Sequence, residues 1–266
     1  MGIDPENQRR MLNEALDAIV PLMRGEQVTM ETDWFNLREA RLQLSGYTRP
    51  HMEMAVASAR SPVGALAAGQ HGLGMLSIGG TSDDALKAHA SNWGVAEEAA
   101  AANGKTLDRK NWRIVTLMHV AENRDKDFDN QKWGIGRRAK YLGDIATFPI
   151  VPDDITDAAE YLTEGRMAVI GTPDDAIEYL ETLWDGAGGF GCLMQLAHNW
   201  AELEETKRSY GLIARHVIPH FQGANDLRRY SYNYSRDNRP MFIGKAEKAV
   251  MNEIEKHESR KKGAAE

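Results

Sequence analysis

Cysteine is nearly absent from this sequence: Cys192 is the single thiol in 266 residues. One thiol excludes an internal disulfide framework and a multi-cysteine metal centre, so we expect a reducing, cytoplasmic setting and propose no metal. Long apolar runs are also missing, since none approaches the ~18 residues that a membrane-spanning helix needs. The amino end lacks the basic and then apolar stretch of a secretory signal. The net charge of −7 argues against a general nucleic-acid-binding surface.

What the sequence does contain is a recurring unit, in which an apolar β-rich run is followed by a turn and then by a helical pattern. The runs are apolar on both faces, as is typical of parallel strands covered by helices. We therefore predict an α/β fold. Predicted strands span about 52–58, 73–78, 112–120 and 191–197, and predicted helices span about 5–24, 61–70, 83–102, 125–142, 172–185, 202–221 and 245–258.

Two stretches fall outside this repeat. Residues 143–170 are interpreted as an inserted excursion, and residues 223–266 as a carboxyl-terminal extension with a polar, tyrosine-bearing link. Residues 1–222, which include the excursion, hold four strand–helix units, which is half of an eight-stranded barrel. From the residues alone, the sheet is either open and doubly wound or one part of a barrel.

The turn after the first predicted strand is the strongest candidate for a ligand site. Ser58 and Ser61 offer hydroxyl groups there, and the amide groups at the start of the next helix favour an anion. Arg60 adds a positive charge to the same turn. The simpler alternative is that Ser61 only caps its helix and Ser58 only ends its strand.

A second turn, Gly79 to Ser82, follows the next strand. Asp83 and Asp84 would stand at the start of its helix and would repel a phosphate. We interpret it as a tight turn against which a planar ring could lie, with Ser77 and Gly79 as lining residues; a plain turn is the alternative.

The end of the fourth predicted strand supplies the candidate substrate pocket. Gln195, His198 and Trp200 fall there, and His198 has a reference pKa near neutrality. Alternatively, His198 satisfies the turn and Trp200 is part of the core. Inside their strands, His119 is expected to be a hydrogen-bonded core residue and Cys192 a buried apolar one. No catalytic residue is assigned.

Three segments, residues 2–51, 56–74 and 171–221, resemble successive parts of the bacterial luciferase-like, flavin-dependent monooxygenases. The aromatic ending of residues 195–200 is similar to the limonene monooxygenase-like branch. This resemblance implies a partial (β/α)8 barrel, roughly its strands five to eight with their helices. Family members begin earlier and carry four further strands, an active-site histidine and a flavin-binding arginine, so the resemblance also predicts a fragment or an internal-start product.

The resemblance implies an activity as well. Reduced FMN, supplied by a separate flavin reductase, would use O2 to oxygenate a small apolar organic substrate, in a homodimer. The resemblance further implies that the FMN phosphate is contacted by the main chain of Ala57 and by Ser58 and Ser61. Three alternatives stay open: a truncated, catalytically incomplete flavin-binding chain, a deazaflavin-dependent oxidoreductase, and an open-sheet binding protein.

Overall fold

A computed structural model describes residues 2, 4–59, 61–145, 151–152 and 154–263. They form two compact units, Met1–Ile213 and Ala214–Glu266. The boundary predicted between residues 222 and 223 therefore falls inside the second unit. Arg60 and the middle of the predicted excursion lie outside the described residues.

The first unit alternates strands and helices. Its strands are β1 (Val28–Glu31), β2 (Asn36–Ala40), β3 (Ala55–Ala57), β4 (Gly74–Ile78), β5 (Trp112–Val120), β6 (Ala168–Gly171) and β7 (Cys192–Gln195). Its helices are α1 (Gln8–Met23), α2 (Val63–His71), α3 (Asp83–Ala102), α4 (Arg124–Gln131), α5 (Gly134–Ile145), α6 (Ala158–Glu164), α7 (Pro173–Ala187) and α8 (Leu203–Leu212).

Five of these strands form one parallel sheet. β3 pairs with β4 and β4 with β5, while the nine-residue β5 pairs with β7 along its amino-terminal half and with β6 along its carboxyl-terminal half. The length of β5 makes this possible. Within the predicted excursion, β6 thus adds a fifth parallel strand, because its four residues are apolar or small and all buried.

One face of the sheet is covered by helices. Trp112 of β5 is fully buried, stacks on Trp93 of α3 at 4.9 Å between ring centroids, and donates from Nε1 to the Ser77 hydroxyl at 3.0 Å. Val56 of β3 packs with residues of α1 and α2 in a second apolar cluster. Burial of these large apolar side chains is the main term that holds the helical layer on the sheet.

The opposite face is exposed along β3, β4 and β7, whereas Val115 of β5 on this face is buried. Strand register places Ile78, Val115 and Met194 in one row on this face, and Ile78 and Met194 are 59% and 41% exposed. Cys192 lies on the same face and is exposed, so the prediction that it is buried was wrong. A strand that is apolar on both faces is buried on both faces only where other elements of the fold cover both of them.

Several predicted boundaries also change. Helix α1 begins at Gln8, because Asp4 accepts from the amide of Glu6 in a preceding turn rather than capping the helix. The helix predicted over 125–142 divides into α4 and α5, where Gly134 lies against the Trp200 carbonyl. A Cβ at Gly134 would be 2.0 Å from that oxygen, so a side chain there would separate the two segments.

The second unit is helical. A π-helical turn (Ile213–Val217) leads to α9 (Ile218–Gln222), α10 (Asp226–Asp237) and α11 (Arg239–Gly263). The tyrosine-bearing stretch predicted as a link is therefore helix α10, in which Tyr230 and Tyr234 stack one turn apart. Among the described residues, no helix is both long and apolar enough to cross a membrane.

Candidate functional site

The candidate residues gather at one edge of the sheet. Parallel strands end at the same edge, and the chain continues past each strand in register: the Ser58 amide donates to the Leu76 carbonyl at 2.8 Å, and the Leu196 amide to the Thr116 carbonyl at 2.9 Å. The Ser58 turn and the segment that holds His198 therefore both leave from carboxyl ends of strands. In α/β folds with parallel strands, ligands bind at this edge.

The turn between β3 and α2 is short and well anchored. Ser58 is 2% exposed and its Oγ donates to the Ser61 carbonyl at 3.3 Å, while the Ser61 hydroxyl accepts from the Val63 amide at 3.4 Å. The Asn92 side chain of α3 donates to the Ala59 carbonyl at 2.9 Å. The turn is thus held from both sides, next to a helix start that carries no acidic residue.

Of the remaining predicted cofactor residues, Ala57 is exposed at the end of β3, and Arg60 is outside the described residues. Ser77 is fully buried and its hydroxyl accepts the Trp112 bond described above. A Cβ at Gly79 would lie 2.8 Å from Nε2 of His89, so Gly79 is closely packed. Which of the four contact a cofactor stays a prediction.

The Gly79–Ser82 turn uses its polar groups internally. The Thr81 amide donates to the Arg166 carbonyl at 2.9 Å, and Nε of Arg166 donates to the Thr81 hydroxyl at 3.1 Å. The Ser82 hydroxyl caps α3 by accepting from the Ala85 amide. Both acids predicted for this helix start stand in its first turn.

At the end of β7, two predicted pocket residues share one acceptor. Nε2 of Gln195 donates to the Met118 carbonyl at 2.8 Å, and Nε2 of His198 donates to the same oxygen at 3.0 Å. Nδ1 of His198 accepts from the Trp200 amide at 3.5 Å, and the ring stacks on Trp200 at 3.9 Å between centroids. Both ring nitrogens of His198 are therefore engaged by backbone groups.

Burial is the main cause that lowers the pKa of His198 from 6.5 to about 4; the charges of His119 and Arg138 lower it further, and the bond to Met118 opposes them. His198 is consequently neutral near pH 7, with its proton on Nε2. Such a ring orients the segment after β7 and is not poised to exchange a proton with a ligand.

Trp200 is 2% exposed and belongs to an apolar cluster with Ile135 and Ile170.

A buried polar network below this segment was not foreseen. Asp127 of α4 is fully buried and accepts from Nδ1 of His119, from Nε2 of Gln131 at 3.1 Å and from the Gly171 amide. His119 is thus a hydrogen-bonded core residue, as predicted. The sequence did carry a signal for this network. Asp127 follows the strand residue His119 by eight positions and stands in the first turn of the next helix. The network ties β5, α4 and β6 together.

Comparisons with known proteins identify the family. The profile of luciferase-like monooxygenases matches residues 1–189. The chain is 35% identical over 238 residues to limonene 1,2-monooxygenase of Rhodococcus erythropolis, covering 90% of this chain and 61% of that protein. It is 38% identical over 244 residues to 4-hydroxyprotoasukamycin monooxygenase of Streptomyces nodosus subsp. asukaensis, covering 88% and 64%.

A solved structure supports the fold. The oxygenating constituent of 3,6-diketocamphane monooxygenase from Pseudomonas putida, solved with FMN, superposes with a TM-score of 0.59 at 21% identity, over 82% of this chain and 66% of that one. The predicted partial barrel of the luciferase-like type is confirmed, and the described residues contain no closed barrel. The chain spans about three fifths of the length of the curated relatives it matches.

Proposed function

Because this chain belongs to the luciferase-like monooxygenase family, we propose that it serves a flavin-dependent monooxygenation of a small apolar organic substrate. Reduced FMN, supplied by a separate flavin reductase, and O2 are the proposed co-reactants. When bound, the reduced flavin supplies the chemistry that activates O2 and delivers one oxygen atom to the substrate. We expect a cytoplasmic homodimer.

The observation that carries this proposal is the Ser58–Ser61 turn. A phosphate needs hydrogen-bond donors and positive potential, and the start of α2 offers both with no acid in its first turn. Ser58 and Ser61 would hold the FMN phosphate through their hydroxyls and Ala57 through its main chain, with Arg60 adding charge. The Gly79–Ser82 turn fits a phosphate less well, because Asp83 and Asp84 stand in the first turn of its helix and would repel the anion.

The segment after β7 would contribute the wall of the substrate pocket. His198 and Gln195 fix it to the Met118 carbonyl, and Trp200 packs beneath it. A neutral, hydrogen-bonded His198 supports a role in holding the pocket's shape and excluding water. Gly79 would line the flavin ring on the neighbouring strand, and Ser77 would do so only through its main chain, because its side chain is fully buried against Trp112.

The test is an FMN titration of the purified chain, followed by quenching of flavin fluorescence for oxidised FMN and by anaerobic calorimetry for dithionite-reduced FMN. The Ser58→Ala and Ser61→Ala variants should each bind about tenfold more weakly, since a hydrogen bond to a charged group contributes about 1.5–3 kcal/mol. Ser82→Ala, in the second turn, is the matched control and should bind like the parent. Parent-like affinity in both Ser58→Ala and Ser61→Ala would remove the phosphate assignment.

A second candidate is a chain that binds flavin without oxygenating a substrate by itself. The exposure of Ile78 and Met194 on the opposite face of the sheet favours this candidate. A flavin bound against that face would stay in contact with water, which oxygenation of a substrate requires the site to exclude. Flavin binding without substrate-dependent oxygen uptake, measured with FMN, NADH and a flavin reductase, would select this candidate. Tighter binding of a deazaflavin than of FMN would instead select the deazaflavin-dependent alternative.

A further inference from the structure

A cavity of about 580 Å³ lies at the same edge of the sheet, between α5 and the segment that follows β7. Gly134 and Trp200, whose backbones approach each other closely, are among its lining residues. Its volume is that of a small-molecule site. The residues used below to argue its ligand are Trp133, Arg137, Arg138, Tyr141, Trp200 and Glu202.

Two arginines from one turn of α5, Arg138 and the exposed Arg137, line this cavity. Elsewhere in the same unit, Arg10 pairs with Asp33 and Arg113 with Glu53. Arg137 and Arg138 form no ion pair among the described residues, although Glu202 also lines the cavity. Arg138 is half-buried, and its charge contributes to lowering the pKa of His198. A pair of unneutralised guanidinium groups in a concave site favours an anion.

The walls beside the arginines are aromatic. Trp133 is 73% exposed and Tyr141 61% exposed, whereas Trp200 is buried at the base. Exposed aromatic faces next to guanidinium groups suit a ligand that is both flat and negatively charged.

We propose that this cavity binds an organic acid with a flat apolar body and one carboxylate, held by Arg137 and Arg138 and stacked on Trp133 or Tyr141. The inference rests on the proposed function, which it deepens by naming the substrate class: an apolar molecule with one anionic group. The anion would orient the molecule next to Trp200 and the segment after β7.

The experiment is isothermal titration calorimetry of the purified chain with 2-naphthoate and with its neutral counterpart, 2-naphthamide, in the absence of flavin. We expect naphthoate to bind at least tenfold more tightly than the amide. The double variant Arg137→Gln, Arg138→Gln should lose about tenfold or more in naphthoate affinity and keep its amide affinity. Arg9→Gln, at an exposed position of α1, is the matched control, and circular dichroism checks the fold of each variant.

Equal affinity of parent and double variant for naphthoate, or no binding of naphthoate by the parent, overturns the proposal. FMN is itself flat and anionic, so each variant is also titrated with FMN. A loss of FMN affinity in the arginine variants, with none in Ser58→Ala, would make the cavity a flavin site and would overturn the assignment of a substrate acid. Because naphthoate binding needs neither flavin nor turnover, an inactive chain that still binds it would count against the proposed function alone.

Discussion

The state of His198 makes the stability of this protein sensitive to acid, in a way that one substitution can isolate. In the unfolded chain its imidazole titrates near 6.5, and in the folded chain burial lowers that pKa to about 4. The unfolded state therefore takes up a proton first as the pH falls. The free energy of unfolding retains the full contribution above about pH 6.5 and loses it progressively down to about pH 4.

The magnitude follows from the two pKa values. The interval between 6.5 and about 4 corresponds to about 3–4 kcal/mol at about 1.4 kcal/mol per pH unit. By pH 5, about 2 kcal/mol of this is already lost, because the unfolded state is mostly protonated there and the folded state mostly is not. Burial also lowers the pKa of His71 and His89. The parent's free energy of unfolding therefore also falls through these two residues as the pH is lowered.

The assay is urea unfolding of the parent and of His198→Gln, followed by far-ultraviolet circular dichroism at about pH 7 and about pH 5. Glutamine can still donate to the Met118 carbonyl, so near neutrality the variant should lose only about 1 kcal/mol, from the stacking on Trp200. Between the two pH values it should lose about 2 kcal/mol less than the parent. His257→Gln, on the exposed surface of α11, controls for the substitution itself. Parallel losses in parent and His198→Gln would refute the neutral, backbone-engaged state assigned to this ring.

Three further substitutions test the packing that supports the site, each by the shift in urea midpoint at constant slope. Asp127→Ala should cost about 3–5 kcal/mol, because it leaves His119 and the Gly171 amide buried without their acceptor; a loss below about 1 kcal/mol would show that the network is not formed. Gly80→Ala should cost more than about 1 kcal/mol, since a Cβ would lie 2.0 Å from the Arg166 carbonyl. Gly136→Ala, at an exposed position of α5 with open space around it, should instead gain about 0.5–1 kcal/mol, and equal effects of the two glycine changes would contradict this packing.

Much of the candidate site could be predicted because it depends on strand direction. Once β3 and β7 are known to be parallel, Ser58 and His198 must leave from the same edge, whatever the detailed packing. Side-chain roles were less accessible. That both nitrogens of His198 are engaged depends on the Met118 carbonyl, which lies 80 residues earlier in the chain. The sequence predicts a titratable residue at this position, but only its burial in the tertiary structure makes it neutral near pH 7.

The cavity beside α5 shows a second limit of the sequence. The pattern of residues 125–142 predicted one helix, and on a single straight helix Arg137 and Arg138 would be two more solvated charges. The break before Gly134 turns α5 against the segment after β7, and this places the arginines in a concave site. A close approach between distant backbone segments leaves no periodic signal in either of them.

The alternation of four parallel strands with helices was determined by the sequence itself, because apolar periodicity, capping residues and turn residues act over a few neighbouring positions. The family came from the resemblance of three sequence segments to its members. Tertiary structure decided the rest. It made Cys192 exposed, added β6 to the carboxyl-terminal half of β5, and buried Asp127 against His119. Each of these depends on which face of an element another element covers. That is set by contacts between residues far apart in the chain, where local preferences carry no information.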